Sequence, residues 1–192
     1  MGSTNSRLSK EQLSEYTDLT YFTVGEINEL FKKFESLDKQ RLRENIQNRI
    51  PGAKLRELPE FKHNPFLHRL CAVFSTSDDD DAEDSLNFDD FLDMMNALSD
   101  QAPFSLKAKY AFQIFDCNQN GYVDKEDVLE IIKHITKKRD GIPLTSKYLF
   151  HKLITNVMLE ADLDQDDMLG PAEFEHVLSK SPDFMSSFRI RL

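Results

Sequence analysis

Apolar residues recur along this chain at helical spacing, in blocks separated by polar and carboxylate-rich intervals. Val24, Ile27, Leu30, Phe31 and Phe34 make one stripe; Phe66, Leu67, Leu70, Val73 and Phe74 a second; Phe88, Phe91, Leu92, Met95 and Leu98 a third. Beyond Pro103, placed near a helix start where its missing N–H costs nothing, Leu106, Tyr110 and Ile114 recur at i, i+4 and i+8, with Phe112 and Phe115 beside them. Val128, Leu129, Ile131, Ile132 and Ile135 predict a following helix that ends before the basic segment 137–141. Tyr148, Leu149, Leu153, Val157 and Met158 predict another, and Phe174, Val177 and Leu178 a last one opened by Pro171. The pattern is all-α: helix-loop-helix units that must pair, because none buries its apolar face alone.

The intervals carry the chemistry. DCNQNGYVDKED (Asp116 to Asp127) and DLDQDDMLGPAE (Asp162 to Glu173) are twelve-residue stretches flanked by helices. A hard cation such as Ca²⁺ takes about six to eight oxygens, and an EF-hand loop supplies them from positions 1, 3, 5, 7, 9 and 12. The first stretch offers Asp116, Asn118, Asn120, the Tyr122 carbonyl, Asp124 and Asp127. The second offers Asp162, Asp164, Asp166, the Met168 carbonyl and Glu173, with a water needed at Gly170. Gly121 permits the mid-loop turn; Asp167 stands at the matching position, where left-handed backbone costs about 1 kcal/mol. Val123 and Leu169 are placed to pair between the loops. Asp127 is one methylene shorter than the usual Glu, which favours six-coordinate Mg²⁺ at the first loop and Ca²⁺ at the second.

The N-terminal half repeats the organisation with the ligands removed. After Leu37 come Lys, Arg and Gln where ligands are needed, so no metal is expected there. Leu86 follows Phe74 by twelve positions where Val123 follows Phe115 by eight, so the second pseudo-loop holds an insertion. Asp79, Asp81, Glu83, Asn87 and Asp90 fall at ligand-like positions there; they read either as a third cation site or as a self-solvating insertion, and the second reading is preferred.

Composition narrows the classes. The 192 residues suffice for two lobes, 21–100 and 101–181, between an N-terminal extension (1–20) and a tail (182–192). A formal net charge of −10 disfavours nucleic acid. Cys71 and Cys117 are too few for a disulfide framework or zinc site, which points to a reducing, cytoplasmic setting. His63, His68, His134, His151 and His176 are scattered and no catalytic motif occurs, so no enzyme is expected. Met1-Gly2-Ser3-Thr4-Asn5-Ser6 fits the pattern for myristoylation of Gly2, which reads against a plain polar tail. A single acyl chain holds a membrane only reversibly, here the inner face of the plasma membrane.

The segments LSKEQLSEYTDLTYFT, LPEFKHNPFLHRLCAVFS, FDDFLDMM, KYAFQIFDCNQNGYVDKEDV and EFEHVLSKSPDFMSSFRIRL resemble the calcium- and integrin-binding proteins, or calmyrins, across nearly the whole chain. The resemblance implies four EF-hands in two paired lobes, of which the last two bind metal, with Mg²⁺ accepted at the third. It also implies frequent N-myristoylation and a hydrophobic groove for amphipathic helices from integrin α-subunit cytoplasmic tails. Independently, four paired hands leave a second apolar surface that opens when cations move the helices. Phe91, Met94, Met95, Leu98, Phe112, Ile114, Leu129, Ile132, Leu153 and Val157 are candidates for it, each alternatively a core residue. The amphipathic tail, with Phe184, Met185, Phe188 and Ile190, resembles a family helix that fills the groove until a partner displaces it. Three functions remain open: an adaptor for helical tails of membrane proteins; a regulatory subunit of a kinase, phosphatase or ion channel; and a plain Ca²⁺ buffer.

Overall fold

The computed structural model describes residues 7–78, 84–136, 155, 158–181 and 183–190. It divides into two compact units: Met1–Ala102 with Arg189–Leu192, and Pro103–Phe188.

In the first unit the helices are α1 (Lys10–Leu19), α2 (Val24–Leu37), α3 (Lys39–Glu44), α4 (Leu67–Phe74) and α5 (Phe88–Ala97), with a 3-10 turn at Gly52–Glu57. Their starts are written in capping boxes. Ser9 Oγ accepts from the Gln12 N–H while the Gln12 side chain accepts from the Ser9 N–H, and Thr23 with Glu26 and Asn87 with Asp90 repeat the device at α2 and α5. The stripe of α2 buries Ile27, Leu30, Phe31, Phe34 and Leu37. Val24, expected in that stripe, opens the helix and is 47% exposed. α2 and α4 pack against α5, and the centre is aromatic: the Phe88 ring stands edge-on to Phe31 at 5.0 Å and to Tyr16 at 5.6 Å, with Phe34 at 5.8 Å. The stretch read as an N-terminal extension with an acylation site contains α1, whose Tyr16 hydroxyl donates to Asp89 Oδ1 at 2.5 Å.

Two short strands, β1 (Ile50–Pro51) and β2 (Ser85–Leu86), pair antiparallel with Ile50 opposite Leu86. This puts Leu86 at a bridge position like that of Val123 and makes Asp90, four residues on, the last position of the second pseudo-loop. The first pseudo-loop is replaced by α3, whose start is capped by Asp38. Backbones approach closely at Gly52: a Cβ there would lie 2.6 Å from the Asp84 carbonyl and 2.7 Å from Cys71 Sγ. Cys71 is fully buried, and burial, followed by the charge of Asp84, pushes its thiol up to about 12. Both cysteines are free thiols.

In the second unit α6 (Phe104–Phe115) and α7 (Lys125–Thr136) flank the first acidic loop; helical residues 158–161 and α8 (Pro171–Ser179) flank the other, and a single turn, α9 (Phe184–Ser187), follows. The helix expected from Tyr148, Leu149, Leu153 and Val157 lies outside the described residues except at its end. α6 packs on α8, with Phe112 and Phe115 each 5.5 Å from the Phe174 ring. The buried face of α6 is Lys107, Ala108, Ala111, Phe112 and Ile114. Leu106 and Tyr110, expected to lead it, are only half-buried, on the flank of a face led by Ala108, Ala111 and Phe112. No helix among the described residues is long and apolar enough to cross a membrane.

Candidate metal centre

Val123 and Leu169 exchange two backbone hydrogen bonds, at 3.0 Å and 2.9 Å, so the acidic loops lie back to back as their apolar positions require. Within each loop the first aspartate organises the turn. Asp116 accepts from the Asn120 N–H at 3.1 Å and the Gly121 N–H at 2.9 Å. Asp162 repeats this with Asp166 at 3.3 Å and Asp167 at 2.9 Å. The fifth position then accepts from the seventh: Asn120 from Tyr122, and Asp166 from Met168, both at 2.9 Å. The two sequences thus build one loop geometry from different residues.

The sixth position is left-handed in both, with φ of 86° at Gly121 and 68° at Asp167. Nothing lies within 4 Å of a Cβ built on Gly121, so conformation alone, not space, calls for glycine there. Asp167 tolerates the same geometry, and its carboxylate meets Lys125 Nζ at 2.5 Å. That cross-loop ion pair had no signal in the local sequence.

The twelfth position closes each loop onto its second residue. Asp127 Oδ1 accepts from the Cys117 N–H at 2.9 Å, and Glu173 Oε1 from the Leu163 N–H at 2.8 Å. The shorter Asp127 therefore reaches the same backbone group, and it does so as a buried side chain. Its other oxygen accepts from the Asp124 N–H at 3.1 Å while Asp124 accepts from Asp127, a reciprocal cap on α7.

The donor set fits a hard cation. Carboxylate oxygens of Asp162, Asp164 and Asp166 all lie within 4.8 Å of one another, close enough for one ion to contact all three. Desolvation, then the charges of Asp166, Glu173 and Asp162, hold the Asp164 carboxyl above its usual range. At Asp127, burial and then the neighbouring Asp124 carboxylate do the same against the backbone N–H groups it accepts. Asp162 goes the other way: desolvation raises it, but the N–H groups of Asp167, Gln165 and Asp166 prevail and lower it. Carboxylates brought this close repel one another, and a divalent ion between them offsets that repulsion. Tyr122 and Met168, expected to contribute carbonyls, stand beside the bridge with exposed side chains.

The candidate groove residues are mostly enclosed in this arrangement. Phe91, Met94, Met95 and Leu98 are buried in the first unit, and Phe112 and Ile114 in the second. Leu129 and Ile132 pack half-buried on the cluster of Phe112, Met158 and Phe174; Leu153 and Val157 lie outside the described residues, as do Gly2, Asp79, Asp81 and Glu83. Phe184 and Phe188 from the tail pack on the same cluster. The Phe184 ring is 5.8 Å from Phe104, and the buried Lys107 donates to the Phe188 carbonyl at 2.7 Å.

Helix-loop-helix units with twelve-residue oxygen-donor loops bridged at their eighth residues define an EF-hand protein, and a family model of an EF-hand domain pair matches residues 106–179. Relatives extend the match over all of both chains. Identity is 37% over 196 residues to calcium and integrin-binding family member 2 of Danio rerio, 36% over 199 to that of Homo sapiens, and 34% over 196 to family member 3 of Homo sapiens. The chain belongs to the calcium and integrin-binding family.

Proposed function

We propose that this protein is a non-enzymatic Ca²⁺- and Mg²⁺-binding adaptor whose C-terminal unit receives an amphipathic helix from the cytoplasmic tail of a membrane protein, an integrin α subunit foremost. The observation that carries the reading is the seating of Phe184 and Phe188 on the apolar cluster of the unit that contains both cation loops. An amphipathic helix bearing large side chains at i and i+4 presents the same pattern and competes for the same surface. The names of the relatives, which couple calcium with integrin, favour this partner class. Asp162, Asp164, Asp166, Met168 and Glu173 hold Ca²⁺ most strongly, and Asp116, Asn118, Asn120, Tyr122, Asp124 and Asp127 hold a cation that can be Mg²⁺. Occupancy fixes the helices about the loops and so the shape of the cluster. Acylation of Gly2 adds reversible contact with the inner face of the plasma membrane.

The tail supplies the test. If it covers the receiving surface most of the time, apparent affinity is reduced by the open fraction. Deleting residues 184–192 then tightens binding of an integrin α-tail peptide on the order of tenfold, measured by fluorescence anisotropy. Unchanged or weaker binding assigns the tail a structural role only and removes the main support for the reading.

A further inference from the structure

The second pseudo-loop is not simply a loop that lost its ligands. Its closing carboxylate, Asp90, stands four residues after the paired Leu86, as Asp127 and Glu173 stand four after Val123 and Leu169. The Asp90 side chain is 1% exposed, so its charge requires a partner. That partner is Arg49, the residue just before the paired Ile50. Arg49 Nη2 donates to Asp90 Oδ2 at 2.6 Å, to the Ser85 carbonyl at 3.0 Å and to Ser75 Oγ at 3.2 Å. Arg49 Nε donates to Ser85 Oγ at 3.1 Å, and Nη1 to Thr76 Oγ1 at 3.4 Å. Thr76 in turn donates to Asp90 Oδ1 at 2.8 Å. A carboxylate, a backbone carbonyl and three hydroxyls thus surround one positive group.

We propose that Arg49 is the resident cation of the second hand: it takes the electrostatic place of a divalent ion at Asp90 and makes closure of the N-terminal unit independent of Ca²⁺ and Mg²⁺. A guanidinium stays charged at every physiological pH and is tethered, so it neither dissociates nor exchanges. Response to divalent cations is then confined to the C-terminal loops. The inference does not depend on which partner the protein binds.

Amide resonances and hydrogen exchange of the full-length protein test it, with chelator and with Ca²⁺. In the wild type, Ca²⁺ shifts the Gly121 and Asp167 amides and leaves those of Ile50, Leu86 and Phe91 in place. In Arg49→Met, the Leu86 and Phe91 amides lose protection in chelator and the thermal midpoint of the N-terminal unit falls by roughly 10 °C. Arg49→Met combined with Asp90→Asn, which removes both charges, recovers at least half of that loss. The double variant also decides the matter should the single variant fail to fold. Ca²⁺-dependent shifts at Leu86 in the wild type, unchanged protection in Arg49→Met, or a double variant no better than the single one would overturn the proposal.

Discussion

Glu173→Gln weakens Ca²⁺ binding at the last loop by on the order of 100-fold, since loss even of groups behind the ligands costs about 10- to 100-fold. The substitution removes the negative charge that the closing position adds to the clustered carboxylates of Asp162, Asp164 and Asp166, and ligand charge tunes affinity in such loops. It also disturbs closure. Glu173 accepts from Leu163 and Gly170 N–H groups through separate oxygens, and an amide has one acceptor oxygen to offer. Calorimetric Ca²⁺ titration of the variant beside Asp127→Asn checks the order of the sites: the Asp127→Asn change falls on the site assigned the weaker Ca²⁺ affinity. An unchanged high-affinity phase in Glu173→Gln would reverse that order.

Phe88→Ala destabilises the first unit by about 3–5 kcal/mol, the range for removing a buried aromatic ring. The ring is 1% exposed and stands among Tyr16, Phe31 and Phe34, so the void opens where α1, α2 and α5 meet. Phe88→Leu keeps much of the volume and costs about 1–1.5 kcal/mol. Urea unfolding of the full chain, followed through the amides of α5, reads both. A loss under about 1 kcal/mol for the alanine variant would mean that the aromatic centre is not the core of this unit.

Much of this architecture was legible because its determinants are local. The loops follow from oxygen side chains at fixed intervals, and the tolerance of Asp167 for the left-handed region followed from residue type alone. Helical stripes marked α2, α4, α5 and α7 for the same reason. What escaped rests on distant partners. α1 has no buried residue in its own span, and it is placed by packing on α2 and by Tyr16 meeting Asp89 and Phe88. Arg49 carries no local signal, and only strand pairing reveals it beside Asp90. Lys107, a lysine within the buried face of α6, gave no hint that it holds the Phe188 carbonyl. Tertiary pairing of a charge leaves no periodicity to find.

Titrating an integrin α-subunit tail peptide into the full-length protein by calorimetry, separately with Ca²⁺, with Mg²⁺ and with chelator, tests the central claim most directly. The account predicts one-to-one binding with either cation and none with chelator, the chelated protein lacking the ions that fix its C-terminal loops. Equal binding in chelator, or no binding under any of the three conditions, would contradict it.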